Sequence, residues 1–207
     1  MPEIISSIDI GTNTVTLLIA KIDNFKIVPL HQKEFIVGLG EGIVKNNLIK
    51  KESIYNCIKS LIEFKNTIAK YNVDKELCVA TSALRQAKNQ KEIIKQIHAI
   101  KCYPKIISGN HEAKYIGNLV KFEFSNLCDN ALIIDIGGGS TELIYIKNSK
   151  IQVVQSLNLG SVTLFEKFFS DPISESHVLS CNKFISEKIR NSSIKNITFT
   201  NLICLKL

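Results

Sequence analysis

Asp135-Ile136-Gly137-Gly138-Gly139-Ser140-Thr141-Glu142 follows an apolar run, Ala131 to Ile136, and leads into another, Thr141 to Ile146. Three successive glycines let a backbone turn sharply and bring bare N–H groups close to an anion. Ser140 and Thr141 add hydroxyl donors, and Asp135 and Glu142 put a carboxylate on each side of the turn. Amides and hydroxyls suit a phosphate, and hard carboxylate oxygens suit Mg²⁺ or Mn²⁺. A hairpin alone needs neither three glycines in a row nor two flanking carboxylates. The spacing is neither that of a P-loop nor that of a dinucleotide-binding turn.

The same letters occur earlier. Asp9-Ile10-Gly11-Thr12-Asn13-Thr14-Val15-Thr16-Leu17-Leu18 aligns without gaps on Asp135 to Ile144. Each copy is an apolar strand, Asp-Ile-Gly, a small hydroxyl-bearing turn and a second strand. Alone, the first copy fits a plain hairpin turn or an anion loop equally well. Its repetition favours the loop and marks a duplicated unit.

Around the first copy, Ile4–Ile10, Val15–Ile22 and Lys26–Val37 read as an antiparallel meander, with Asp23-Asn24 as a turn and Gly38–Gly42 as a glycine-rich loop. Ile54, Ile58, Leu61, Ile62 and Ile68 give one face of a helix over Lys51–Tyr71. A strand Leu77–Ala80, a helix Gln90–Ile100, a short strand Lys105–Ile107 and a helix Asn110–Phe122 follow. That last helix has Ala113, Ile116, Leu119 and Val120 on one side. After the second copy come a strand Ile151–Leu157, helices Val162–Phe169 and Glu175–Arg190 with Ser174 as N-cap, and a final strand Asn196–Leu205. The pattern predicts two α/β domains, residues 1–125 and 126–207, with the two turns facing across a cleft.

Composition narrows the function classes. The chain has 207 residues and a net charge of +7, from 26 cations and 19 acids. The lysines are scattered and form no long run, so a nucleic-acid interface is not expected. No apolar stretch reaches the roughly 18 residues of a membrane helix, and the N-terminus lacks a basic leader, so a cytoplasmic protein is expected. The six cysteines, Cys57, Cys78, Cys102, Cys128, Cys181 and Cys204, lie at least 21 residues apart. They read as reduced, mostly buried thiols rather than a zinc or CxxC site.

Thr81-Ser82-Ala83-Leu84-Arg85 holds one of only two arginines. A planar multi-donor fork in a lysine-rich chain suits a phosphate contact, and an ordinary surface arginine fits equally. Ile107-Ser108-Gly109-Asn110-His111-Glu112-Ala113 opens a helix, with Glu112 in its first turn. There a carboxylate also favours the helix dipole. His111 reads as a polar surface residue.

Taken in order, these motifs, with Leu159-Gly160-Ser161-Val162, make the sequence resemble the exopolyphosphatase / guanosine pentaphosphate phosphohydrolase (Ppx/GppA) family of the actin, sugar kinase and Hsp70 superfamily, over about Ile5 to Phe169. The resemblance implies duplicated actin-like (ribonuclease H-like) α/β domains with mixed sheets. It implies hydrolysis of terminal phosphoanhydride bonds in polyphosphate or guanosine pentaphosphate. It assigns Glu112 as the catalytic glutamate, Asp135 and Glu142 to a divalent metal (Mg²⁺ or Mn²⁺), and Gly137, Gly138, Gly139, Ser140, Thr141, Thr12, Asn13 and Arg85 to substrate. Asp9 would be an accessory carboxylate. The family often has a second glutamate where this chain has His111.

Family members continue past the position of Leu207, so the resemblance implies an incomplete second domain whose last strand has an exposed edge, with self-association or a homodimer as the consequence. An ATP-dependent small-molecule kinase of the same superfamily and a non-catalytic remnant that binds polyphosphate or nucleotide are the alternatives.

Overall fold

The computed structural model describes residues 3–24, 26–124, 126 and 129–206, with the side chains of residues 205 and 206 left aside. Cys128 and the middle of the expected boundary between Glu123 and Asn130 lie outside the described residues. The chain forms two compact units, Met1–Ile107 and Ser108–Leu207.

In the first unit, β1 (Glu3–Ile10), β2 (Thr14–Asp23) and β3 (Lys26–Ile36) form the expected meander. Strands β4 (Lys75–Ala80) and β5 (Lys105–Ile106) extend it in parallel, giving the order β3-β2-β1-β4-β5. Alternation along β1 and β2 sends Ile8, Ile10, Leu17 and Ile19 into the core. There they share one cluster with Cys57, Leu61 and Phe64 of α2 (Lys51–Ile68) and Ile93 and Ile97 of α4 (Gln90–Ala99). Ile62, expected on the buried face of α2, is exposed, because Phe64 and Cys57 fill that face instead. Two short helices escaped the sequence reading: α1 (Ile43–Asn46) and α3 (Ser82–Gln86). At one turn each, they are too short to show a period.

The second unit repeats this plan. Strands β6 (Asn130–Ile136), β7 (Thr141–Lys147) and β8 (Lys150–Leu157) form a meander, and β9 (Asn201–Lys206) pairs in parallel with β6, giving β8-β7-β6-β9. The turn Asn148-Ser149 has both residues at positive φ, the conformation of a tight hairpin. The parallel partners lie at the same sequence distance in both units: Ile5 pairs with Lys75 and Ala131 with Asn201, with the neighbouring hydrogen-bonded residues 70 positions apart in each.

The first helix of this unit, α5 (Gly109–Glu123), corrects the expected boundary. The sequence reading placed it with residues 1–125, yet it packs on β7 and β8. Gly117 makes this possible: a Cβ there would stand 3.0 Å from both Ile144 and Ile151. Ala113 and Val120 complete the contact, and Leu119, expected on the same side, is exposed. The division therefore falls between Ile107 and Ser108.

Helices α6 (Ser161–Phe168) and α7 (Glu175–Arg190) pack on each other, and of their residues only Cys181 is buried. As expected, Ser174 caps α7, its hydroxyl accepting from the His177 amide. The last strand is shorter than expected, beginning at Asn201, and lies at the sheet edge with Leu202 exposed. Among the described residues, no helix is long and apolar enough to cross a membrane.

Candidate active site

The turn Gly137–Ser140 joins β6 to β7 and is closed by the Gly137 amide donating to the Ser140 carbonyl at 3.0 Å. Asp135 and Glu142 are direct cross-strand partners two steps behind it. The turn is anchored from behind by the start of α6. The amide of Ser161 donates to the Gly137 carbonyl at 2.9 Å, and that of Val162 to the Gly138 carbonyl at 3.0 Å. Thr141 reaches the same segment by donating its hydroxyl to the Leu159 carbonyl. Gly160 is the point of closest approach: a Cβ there would fall 2.2 Å from the Gly138 carbonyl oxygen and 2.3 Å from the Gly139 nitrogen. With the carbonyls so engaged, no hydrogen bond among the described residues uses the amides of Gly138 and Gly139.

Glu112 is brought to this turn by α5. Ser108 caps that helix, accepting from the His111 amide at 3.3 Å and meeting His111 Nδ1 at 2.9 Å. His111 is exposed, as expected, and its ring serves the cap. Glu112 follows in the first turn, half-buried, with its amide on the Ser108 carbonyl. Its charge acts on both Asp135 and Glu142.

Those two carboxylates are 3% and 1% exposed, too buried for water to carry their charge. Burial, then the Glu112 charge, raises Asp135 to about 6. Glu142 rises to about 7 for the same two reasons in the same order, against hydrogen bonds from Ser156 and Ser140 and with a smaller push from Asp135. The Ser156 hydroxyl on β8 donates to Glu142 Oε1 at 2.6 Å. Oδ1 of Asp135 is buried with no hydrogen-bond partner.

A buried carboxylate oxygen without a donor, beside a second buried carboxylate, fits a hard cation. Among the described residues no group of three or more Asp, Glu, His or Cys is placed to hold a metal ion. Mg²⁺ does not require one, since it commonly takes one or two carboxylates and fills its remaining positions with water and substrate phosphate. Asp135 and Glu142 would be those ligands.

The raised pKa values set a pH dependence. An unfolded carboxylate ionises near pH 4, whereas these two keep their protons to about 6 and 7. The native state therefore binds more protons between about pH 4 and 7, and its stability falls as pH rises through that window. Each group contributes about 3 kcal/mol when fully ionised, by the linkage between pKa shift and free energy. Thermal unfolding in chelator should show the second unit losing stability from pH 5 to 8. Asp135→Asn with Glu142→Gln should flatten the slope, and Mg²⁺ at pH 8 should recover stability in the wild type only. An equal slope in the double variant would reject the assignment.

The first copy shares the turn. Gly11 donates to the Thr14 carbonyl at 2.9 Å, as Gly137 does to Ser140. Here the glycine-rich loop takes the place of α6: the amides of Val37 and Gly38 donate to the Asn13 carbonyl and that of Gly40 to Thr12. Thr12 is buried, Asn13 exposed, and Asp9 exposed opposite Thr16. Arg85, in the last turn of α3, donates to the Ile107 carbonyl at 2.8 Å, so its fork engages the residue that follows β5. These four residues belong to the first unit. Glu112, Asp135, Glu142 and the Gly137–Thr141 turn come together in the second.

The family model for the Ppx/GppA phosphatase family matches residues 18–197. The chain belongs to this family. Its fold is that of the Ppx/GppA proteins of known structure, actin-like with two mixed sheets. The crystal structure of an exopolyphosphatase from Cytophaga hutchinsonii is 27% identical with a TM-score of 0.88, over 98% of this chain and 66% of that one. The Aquifex aeolicus Ppx/GppA member is 28% identical with a TM-score of 0.78, over 99% of this chain and 66% of that one. A bifunctional 3-dehydroquinate synthase/phosphatase of Fusobacterium nucleatum is 34% identical over 94% of this chain and 32% of its own length. This Ppx/GppA chain thus spans about a third of that relative and about two thirds of the two solved proteins.

Proposed function

We propose that this chain is a phosphohydrolase that releases terminal phosphate from inorganic polyphosphate or guanosine pentaphosphate. The observation that carries the reading is the convergence of Glu112, Asp135 and Glu142 beside the glycine turn, with Glu112 acting on both partners. Membership of a phosphatase family and likeness to an exopolyphosphatase structure support it.

The uncommitted amides of Gly138 and Gly139 would receive the terminal phosphate oxygens, while the Ser140 hydroxyl stays on Glu142. Glu112 would accept a proton from the attacking water as its oxygen bonds to the terminal phosphorus. The bridging oxygen leaves with the shortened chain, and orthophosphate is released. A divalent cation held by Asp135 and Glu142 would neutralise phosphate charge.

The test is orthophosphate release from polyphosphate and from guanosine pentaphosphate, each with Mg²⁺ and with chelator. Metal-dependent release from either supports the reading and names the substrate. Asp135→Asn and Glu142→Gln should each raise the Mg²⁺ concentration needed for half-maximal rate. Release that ignores both metal and variants, or its absence with both substrates, would overturn it.

A further inference from the structure

Cys78 and Cys102 face each other in the first unit with their Sγ atoms 3.5 Å apart. Cys78 stands on β4, partly buried, and Cys102 is fully buried in the irregular stretch between α4 and β5. Neither belongs to the carboxylate site. We propose that Cys78 and Cys102 form an oxidisable thiol pair, converted by a hydroperoxide to an intramolecular disulfide that closes the segment carrying Arg85 into a covalent loop.

The geometry asks for little movement. A disulfide holds its sulfurs about 2.05 Å apart, so the two must approach by roughly 1.5 Å. Cys102 can supply most of that shift. It lies outside regular structure, next to Lys101, which has a positive φ, and its amide bond to the Ile97 carbonyl is long at 3.3 Å. Cys78 is held in register opposite Ile8 and is the partly exposed member through which a small oxidant enters.

One S–H···S hydrogen bond joins the two sulfurs, and either can be its donor. Cys57 lies near enough to feel Cys102, but burial pushes its thiol to about 12 and leaves it protonated. The thiolate of one member of the pair attacks one peroxide oxygen, breaking the O–O bond, forming the sulfenic acid and releasing hydroxide or alkoxide. The sulfur of the other member then attacks the oxidised sulfur, its proton leaving with the sulfenic hydroxyl as water. Two thiols and one peroxide give one disulfide and two molecules of water, or one water and one alcohol.

The crosslink spans 24 positions and encloses α3, α4 and Arg85. Closing a loop of this size restrains the unfolded chain and the local openings of the native one.

The experiment treats the whole chain with hydrogen peroxide, traps remaining thiols in denaturant, and maps peptides without reduction. The expected product is a linked Cys78–Cys102 peptide, two hydrogens lighter than its reduced parts. The unfolding midpoint of the first unit should rise by more than about 5 °C, reversed by dithiothreitol. Cys78→Ser and Cys102→Ala should each remove the linked peptide and the shift. The exposed Cys204 serves as the internal measure that oxidant is active. A Cys57–Cys102 link, over-oxidation of either cysteine without linkage, or modification of Cys204 alone would each overturn the proposal.

Discussion

On the proposed reading, replacing Glu112 by glutamine should lower phosphate release by about 10²- to 10⁴-fold, the usual range for loss of a general base. The substitution keeps the length and shape of the side chain and its place in the first turn of α5, so the Ser108 cap should survive. It removes the basic oxygen and, with it, the negative charge that acts on Asp135 and Glu142. Two readouts therefore move together. Turnover should fall, while the pKa values of Asp135 and Glu142 should drop toward ordinary ones because the Glu112 charge, an upward cause for both, is gone. Substrate affinity should change little, since the Gly138 and Gly139 amides proposed to meet the phosphate are untouched. Single-turnover kinetics together with direct binding of polyphosphate separates these effects. A glutamine variant with near-normal turnover would exclude Glu112 as the base.

The second large effect is expected from Gly160→Ala. The φ of Gly160 is −125°, ordinary for any residue, so the reason for glycine is space alone. An added methyl would sit 2.2 Å from the Gly138 carbonyl oxygen, a rigid main-chain atom that cannot rotate away. Either the start of α6 withdraws, giving up the bonds from Ser161 and Val162, or the Gly137–Ser140 turn moves. Overpacking of this kind costs about 1–3 kcal/mol. It should also depress phosphate release well beyond what the lost stability explains, because the amides that would meet the phosphate shift with the turn. The measurement is the unfolding midpoint alongside turnover at a temperature where the variant is folded. Full stability with full activity would show that α6 does not anchor the turn.

The duplicated Asp-Ile-Gly turns, the two meanders and the helix carrying Glu112 were legible because each announces itself in letters within a few residues. Local spacing could not place α5 in the second unit. That depends on Gly117 allowing contact with Ile144 and Ile151, which only the folded sheet brings near. Leu119 and Ile62 look like core residues by period, but a small neighbour in one helix and a larger one in the other won the buried face.

Ser156 was missed for a geometric reason. Counting back from the Asn148-Ser149 turn places Gln155 opposite Glu142. An irregularity between Tyr145 and Ile146 shifts the register by one and brings Ser156 there instead. A bulge leaves no reliable mark in sequence, yet here it decides which side chain supports a site carboxylate. The role of Gly160 was visible only as part of a motif; its reason is the backbone it touches.

The equal 70-residue separation of the parallel partners in both sheets has a consequence for how the protein is made. Ribosomes add about 5–20 residues per second. With 44 residues from Ile36 to Ala80 and 49 from Leu157 to Lys206, each meander is complete and able to pair internally roughly 2–10 s before the strand that must lie against β1 or β6 has been synthesised. For that interval the central strand of each unit is an open edge, twice per chain and at the same stage of each half. β6 carries Ala131, Leu132 and Ile133 along that edge, all buried in the finished fold. Nascent chains on neighbouring ribosomes can pair there before the correct strand arrives, so the yield of folded protein should depend more on the speed of translation and on holding chaperones than on the stability of the finished molecule.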